Sequence, residues 1–406
     1  MPTLDLDALT SACTAGGPSC LTSTTELVPA GGVHASVAPA RYLEGSGSQA
    51  HSVYAYEKRF LGGELRSTAL IDSKQSQLNR VEEAIAAAVR DEAGVWARLP
   101  HVRVTYEDRA FTDLTLPHRI FDGHIRAGSV DGTPTTQVPA YRAVRDASPD
   151  NARALLDMSP VTLIFGGWDS SRKARQGRWR SALVGEIVGF LADDNKGEPV
   201  RAGKRGGARV DPVGMQVQLD SAGVAAVLDP QAAEYSPATV ETIRKESKKA
   251  SSSAPWSASP LGLGGIPPAL SQLAGVACDR ILRTHVLSFA TLRQMRFGAG
   301  VDGDAACRSL LAAVALAGLA RSDAELVLRA NCDLREAGPT ALTVDQRGGQ
   351  LQAFDALTLD VADALLADAL ANAEQAAGVR WNGLVLDVVG NPAITAGAVA
   401  DDGDEK

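Results

Sequence analysis

"STALIDSKQSQLNRVEEAIAAAVRDEAG", residues 67–94, sets a strand directly against a helix. The first seven residues carry β-branched and apolar side chains suited to a strand. From Lys74 onward the spacing changes: Leu78, Val81, Ile85, Ala88 and Val89 recur on one helical face, and Gly94 follows the end. The start of that helix is unusual. Lys74, Gln75, Asn79 and Arg80 crowd its first turns, where an acidic side chain would complement the helix dipole. Gln75 and Asn79 share a face at i, i+4. They are suited either to holding a nucleotide edge or sugar hydroxyl, or merely to bonding nearby backbone.

Working outward, residues 1–50 read as a short helix or arm and an irregular lead-in. "HSVYAYEKRF" (51–60) and "HVRVTYED" (101–108) read as strands. Residues 110–150 are rich in Pro and Asp-Gly and read as a long excursion outside the core. "DNARALLDMSP" (150–160) reads as a short helix, and Pro160–Phe165 as a buried strand. A further strand is expected from about Ala208 to Leu219. The segment "IRKESKKASSSAPWSASPLGLGGIPP" (243–268) reads as a mobile low-complexity loop. Beyond it come the strand "RILRTHVLSF" (280–289), a helix starting at the N-cap Ser288, and the apolar helix "DAACRSLLAAVALAGLA" (304–320). Strand "TALTVDQ" (340–346), a helix over 355–378 and strand "GLVLDVV" (383–389) complete the chain. The domain reading is a lead-in over 1–50, one domain over 51–394 with insertions at about 107–150 and 230–268, and a disordered tail over 395–406. Strands and helices interrupted by long loops indicate an α+β protein rather than a regular alternating wheel.

The 406 residues carry a net charge of -8, which argues against a uniformly basic nucleic-acid binder. The charge is segregated, however. Residues 301–406 hold 17 acidic and 7 basic side chains, leaving 31 and 33 in residues 1–300. That distribution suits one-sided contact with nucleic acid. The five cysteines include no C-x-x-C pair, which speaks against a disulfide framework or zinc knuckle and for a reducing cytoplasm. The N-terminus lacks a basic segment followed by an apolar core, so no secretory signal and no membrane partner are expected. The apolar run Ser309–Ala320 is too short to span a bilayer and reads as a core helix.

"FGGWDSSRKARQGRWRSALVGEIVGF" (165–190) concentrates Arg172, Lys173, Arg175, Arg178 and Arg180 between two tryptophans, Trp168 and Trp179. Read with its apolar close as a helix, it puts cations at a helix start, an arrangement unfavourable without an anion. Arg172, Lys173, Arg175 and Arg178 are the phosphate contacts on this reading, while Arg180 is left to pack against Glu186 or a neighbouring subunit. Arg201, Lys204, Arg205 and Arg209 form a second basic cluster, and Lys245, Lys248 and Lys249 a third. Several basic loops with aromatic neighbours point to a groove that tracks a nucleic-acid backbone. No Walker A loop, nucleophile elbow or H-E-x-x-H motif is present. Asp113, His118, Asp122 and His124 have metal-ligand chemistry, but in a turn-rich loop their spacing is a weak signal. They support an alternative reading as a metal-dependent ribonuclease. His285, on an apolar strand, reads as a satisfied core histidine. No cofactor is called for.

In chain order, "STALIDSKQSQLNRVEEAI", "LPHVRVTY", "LPHRI", "LIFGGWDSSRKARQGRWRSALVGEIVGF", "LGLGGIPP" with "LSFATLRQMRF", and "NCDLR" resemble the motifs of a known family. This is the RAMP-type backbone subunit (the Cas seven group) of type I-G, formerly I-U, CRISPR Cascade complexes. The resemblance covers roughly residues 50–335. Gly185 stands where Ser is common in that family, a departure that looks harmless from the sequence. The resemblance implies a ferredoxin-like, RRM-like palm with finger and thumb-like insertions, the thumb falling at about 240–265. It also implies copies stacked head to tail along CRISPR guide RNA, target DNA engaged through the guide, other Cascade subunits as partners, and no catalytic step in this chain. Lys74, Gln75, Asn79 and Arg80 would line the guide-facing edge, with His118 and Arg119 near the RNA. Trp168, Asp169 and Ser170 would shape the turn that presents Arg172, Lys173, Arg175 and Arg178.

Overall fold

The computed structural model describes residues 1–46, 50–173, 176–192, 203–267, 270 and 272–398. Contacts divide the chain into two units. The larger comprises Met1–Ala40, Tyr54–Val200 and Val276–Ile394, and the smaller Arg41–Val53, Arg201–Gly275 and Thr395–Lys406.

The frame of the larger unit is built from nine elements: β1 (Cys20–Pro29), β2 (Tyr56–Leu61), β3 (Glu64–Asp72), α1 (Lys74–Arg90), β4 (Leu183–Leu191), β5 (Cys278–Ser288), α2 (Gly300–Glu325), β6 (Ala341–Asp345) and β7 (Leu351–Phe354). The sheet order is β7-β6-β1-β5-β4-β3-β2, with Leu334–Glu336 also paired to β1. The sequence β1-α1-β4-β5-α2-β6 with spatial order β6-β1-β5-β4 is the ferredoxin-like arrangement. Each neighbouring pair in it is antiparallel. The α+β, ferredoxin-like expectation holds, with β2, β3 and β7 as additions at the sheet edges.

Local sequence explains the frame. Ser73 caps α1 by accepting from the Ser76 amide, and Leu78, Val81, Ile85 and Ala88 bury one face. That face meets α2, whose residues from Gly303 to Leu319 are buried. The helices approach closely because α2 presents Gly318: a Cβ there would lie 2.6 Å from the Ile85 Cδ1. α2 is long and apolar enough to cross a membrane, but its apolar window is 94 % buried in the core.

Several expectations are corrected. The supposed lead-in contains β1, a central strand whose Leu21, Ser23, Thr25 and Leu27 face inward. The region 110–150 is part of the core: Leu114, Ile120, Phe121, Ile125, Tyr141 and Val144 are all buried in the main cluster. Frequent turns there change the chain's direction without removing its apolar anchors. Pro160–Phe165 is a helical turn, with Pro160 at its first position and Gly166 ending it. A six-residue apolar run does not distinguish strand from helix. Conversely, the helix-like 183–191 is β4, set between β5 and β3. Its apolar run reflects burial on both faces.

His285 is buried, but neither ring nitrogen has a hydrogen-bond partner among the described residues. Burial, reinforced by nearby Arg283, pushes it down to about 3 and keeps it neutral. Its ring occupies the space above Gly185, where a Cβ would come 1.9 Å from the ring Cδ2. Gly185 is thus a packing requirement of this chain.

The smaller unit has its own core of Val224, Leu228, Ile243, Ala258 and Leu261. Residues 243–268 are therefore not one loop. The helix Pro237–Ser247 starts at the Ser236 cap and buries Ile243 and Ser247. The strand expected over 208–219 shrinks to Gln218–Leu219, paired with Trp256–Ser257. Pro212 lacks a ladder donor, and Val210 and Val213 are exposed.

Candidate nucleic-acid interface

Lys74, Gln75 and Asn79 lie exposed on α1. They line a groove of about 630 Å³ in the larger unit together with Arg119, Phe165 and Ser181. The sequence-derived i, i+4 amide face is therefore part of a real concavity. Leu78, Leu114 and Leu116 also line it, which places apolar surface beside an exposed cation and two amides.

Arg80 and Arg119 do different work. Arg80 donates from Nε to the Asp72 Oδ2 at 3.0 Å, and its Nη1 reaches the Val327 carbonyl. Burial alone would raise Asp72. Hydrogen bonds from Arg80 and Gln77, and the charges of Arg80 and Arg329, more than offset it and hold the carboxyl below its usual range. Arg119 forks onto Glu82 through Nε and Nη2, at 2.5 and 2.6 Å, and donates to the Gly166 carbonyl at 3.1 Å. Glu82 is pushed up by burial, an effect the Arg119 contact offsets only in part. Arg119 adopts a φ of 49°, uncommon for a non-glycine residue. The buried pair and the carbonyl bond hold it there. Both arginines are spent on the fold, and His118 is exposed beside Arg119.

The basic stretch does not open a helix. Gly167–Trp168 pairs with Arg178–Trp179 as a short hairpin: Arg172 and Lys173 precede its second strand, Arg178 is in that strand and Arg180 follows it. The helix-dipole argument for an anion therefore falls. Gly166 makes the hairpin possible, at a φ of 88° with the Trp179 carbonyl oxygen 2.8 Å from where a Cβ would sit. Trp168 is 52 % exposed, and the Arg178 guanidinium lies 4.5 Å from its ring centroid. Trp179 is buried, so only one of the two flanking tryptophans offers an open face. Lys173 and Arg180 are exposed and form no ion pair with the described residues. The expected Arg180–Glu186 contact is replaced: Glu186 is held by Arg59. Arg172 is tied to the Arg145 carbonyl and Asp146, each at 2.5 Å. Ser170 is exposed, and its carbonyl accepts from Gln176.

Sequence reasoning missed Arg126 and Arg145. Both come from the 110–150 excursion and attach to the hairpin loop. Arg126 donates to the Ser171 hydroxyl, and Arg145 pairs with buried Asp169 at 2.8 Å. Their only signal was a cluster of arginines in a segment read as peripheral.

Lys204, Arg205 and Arg209 belong to the smaller unit. Lys204 and Arg209 are exposed. Arg175, Arg201, the Arg205 side chain and residues 399–406 of the expected tail lie outside the described residues.

The alternative metal set is dispersed into structural roles. Asp113 accepts from the Val102 amide at 2.9 Å and from the Ser159 hydroxyl at 2.5 Å. Asp122 caps the turn at Gly123–Ala127 by accepting from the His124 amide. The His124 Nδ1 meets the Tyr106 hydroxyl at 2.6 Å. Among the described residues, no three of His, Cys, Asp and Glu gather as metal ligands.

Fold and groove together define a ferredoxin-like α+β protein with a basic hairpin beside a concave helix face. Residues 21–194 match the family described as CRISPR-associated protein GSU0053. Over that stretch, which spans β1 to β4, the chain is similar to CRISPR-associated proteins. No curated protein matches the chain.

Proposed function

We propose that the chain is a guide-RNA-binding structural subunit of a CRISPR surveillance complex, of the RAMP-type backbone group of type I-G. On this reading copies stack head to tail along the guide in the cytoplasm, present its bases to target DNA and contact the other Cascade subunits. The chain itself performs no chemical step.

The observation that carries the reading is the groove. Lys74, Gln75 and Asn79 line one wall, and Phe165 and Ser181 connect it to the hairpin bearing Trp168, Lys173 and Arg178. Cations there meet phosphates, amides meet sugar hydroxyls or base edges, and Trp168 offers a stacking face. A backbone-tracking surface of this kind binds without sequence preference and with steep salt dependence. The match to a CRISPR-associated family supports the identity of the nucleic acid.

The test is a triple variant, Lys74→Ala with Lys173→Ala and Arg178→Ala. All three side chains are exposed, so the monomer is expected to keep its unfolding transition. Affinity for single-stranded guide RNA should fall, and the dependence of log affinity on log salt should flatten by about 0.7 per lost phosphate contact. Unchanged affinity at matched salt overturns the assignment.

A further inference from the structure

The hairpin that carries Trp168, Lys173 and Arg178 is too short to hold itself. Its strands contribute two residues each, and even a longer isolated two-stranded hairpin is marginal in water. The Asp169 amide extends the ladder by donating to the Gly177 carbonyl at 2.9 Å. Four residues, Asp169 to Arg172, link Trp168 to Lys173. Three of them are gripped by the 110–150 segment. Asp169 is 1 % exposed, and its Oδ2 accepts from the Arg145 Nε at 2.8 Å. The Ser171 hydroxyl accepts from Arg126. Arg172 donates to the Arg145 carbonyl and to Asp146. Arg145 ends the helix Pro139–Arg145 and Asp146 caps it, while Tyr141 and Val144 bury that helix in the main core. The hairpin is therefore latched to the core of the unit and not to another loop.

The latch is poorly suited to serving stability alone. The second Asp169 oxygen, Oδ1, and the Arg126 Nε are buried with no hydrogen-bond partner among the described residues. A buried ion pair offsets its desolvation only when its remaining polar atoms are also satisfied, and apolar side chains of similar volume often stabilise as well. What this pair does fix is geometry, at the residue next to Trp168. Arg145 is itself mostly covered, with 14 % of its side chain exposed, so it is badly placed to meet a phosphate.

We infer that Arg145 and Arg126 are positioning residues: through Asp169 and Ser171 they hold the hairpin so that Trp168, Lys173 and Arg178 are presented together before a ligand arrives, and they do not touch the ligand themselves. The inference rests on the RNA-binding reading and gives the 110–150 segment a part in it. A loop ordered in advance removes from binding the entropic cost of ordering it.

The experiment compares Arg145→Ala, Asp169→Ala and Arg145→Lys with the unmodified full chain. Without RNA, amide hydrogen exchange on the peptide containing Trp168 to Lys173 should quicken in the two alanine variants while α1 and α2 exchange as before. With single-stranded RNA, both should bind roughly tenfold more weakly, the equivalent of ordering about one residue's backbone on binding. The dependence of log affinity on log salt should keep its slope, because the exposed cations remain. Asp169→Ala is the sharpest arm: it deletes a negative charge, so charge alone predicts tighter binding and positioning predicts weaker. Arg145→Lys keeps a cation on Asp169 and should recover most of the affinity. Arg126→Ala strands no buried carboxylate, so it should fold normally and show the same changes at smaller size even where the other variants lose their unfolding transition. A flattened slope in Arg145→Ala, tighter binding by Asp169→Ala, or hairpin exchange unchanged in every variant overturns the positioning role and leaves the RNA-binding reading intact. Absence of RNA binding by the unmodified chain overturns that reading, and the exchange comparison then decides by itself whether the latch holds the hairpin.

Discussion

Two sets of cations in the larger unit read alike in sequence and behave oppositely in the structure. Arg80 sits on α1, and Arg119 lines the α1 groove. Each is locked to a buried carboxylate, Asp72 in one case and Glu82 in the other. Lys173, Arg178 and Arg180 stand at the hairpin with exposed side chains and no carboxylate partner among the described residues. The first set holds the walls and the second is available to a ligand. Net charge or arginine counting does not separate them; the burial of the nearest carboxylate does.

The largest effect should come from breaking the locked set. Glu82→Ala leaves the Arg119 guanidinium largely buried without its fork, and removing one partner of such a pair typically costs about 3–5 kcal/mol. Chemical denaturation should show the midpoint falling with little change in slope. A loss below about 1 kcal/mol, the level of an exposed pair, would erase the distinction between the two sets.

A buried carboxylate that no Lys or Arg among the described residues pairs with sharpens the contrast. Asp113 is fully buried, accepts from Val102 and Ser159, and is raised by that burial to about 6. Its folded value lies above its ordinary one, so between about pH 4 and pH 6 the folded state retains a proton that the unfolded chain has lost. Its contribution to stability is therefore complete below about pH 4 and is lost as pH rises through about 6. A tenfold difference in proton affinity between the folded and unfolded chain corresponds to about 1.4 kcal/mol. Asp323, raised to about 6 mainly by burial, adds a slope of the same sign. Asp113→Asn should remove the first share and leave the second. Equal slopes of stability against pH in the two proteins would show that Asp113 does not titrate in this window.

The comparison also shows what the sequence disclosed. The α1 face was legible because a 3.6-residue period and an abnormal first turn are both local signals. The ferredoxin-like order came from the family motifs, and the helices and strands of its second half from long, clean periodic runs. β4 was missed because a strand buried on both faces loses its alternation. The hairpin was missed with it, since reading 183–191 as a helix turned the preceding loop into a helix start. The role of Arg119 was invisible because Glu82, its partner, lies 37 positions away on another element. Gly185 looked like a harmless departure until His285, directly opposite in β5, showed what fills the missing side chain.

The smallest effect on stability, and the finest test of the comparison, belongs to Arg178. Its stack on Trp168 is exposed and is worth about 0.5–1 kcal/mol. Arg178→Lys should therefore shift the unfolding midpoint only slightly, in contrast to Glu82→Ala. Binding is where the substitution should show. Lysine keeps the charge, so the salt dependence of RNA affinity should be preserved. It cannot fork onto phosphate oxygens or stack flat on an indole, so affinity should fall at every salt concentration by a similar factor. Arg178→Ala should lower affinity and flatten the salt dependence together. If lysine and alanine flatten it equally, Arg178 acts through the geometry of the Trp168 stack rather than as a phosphate contact, and the open set shrinks to Lys173 and Arg180.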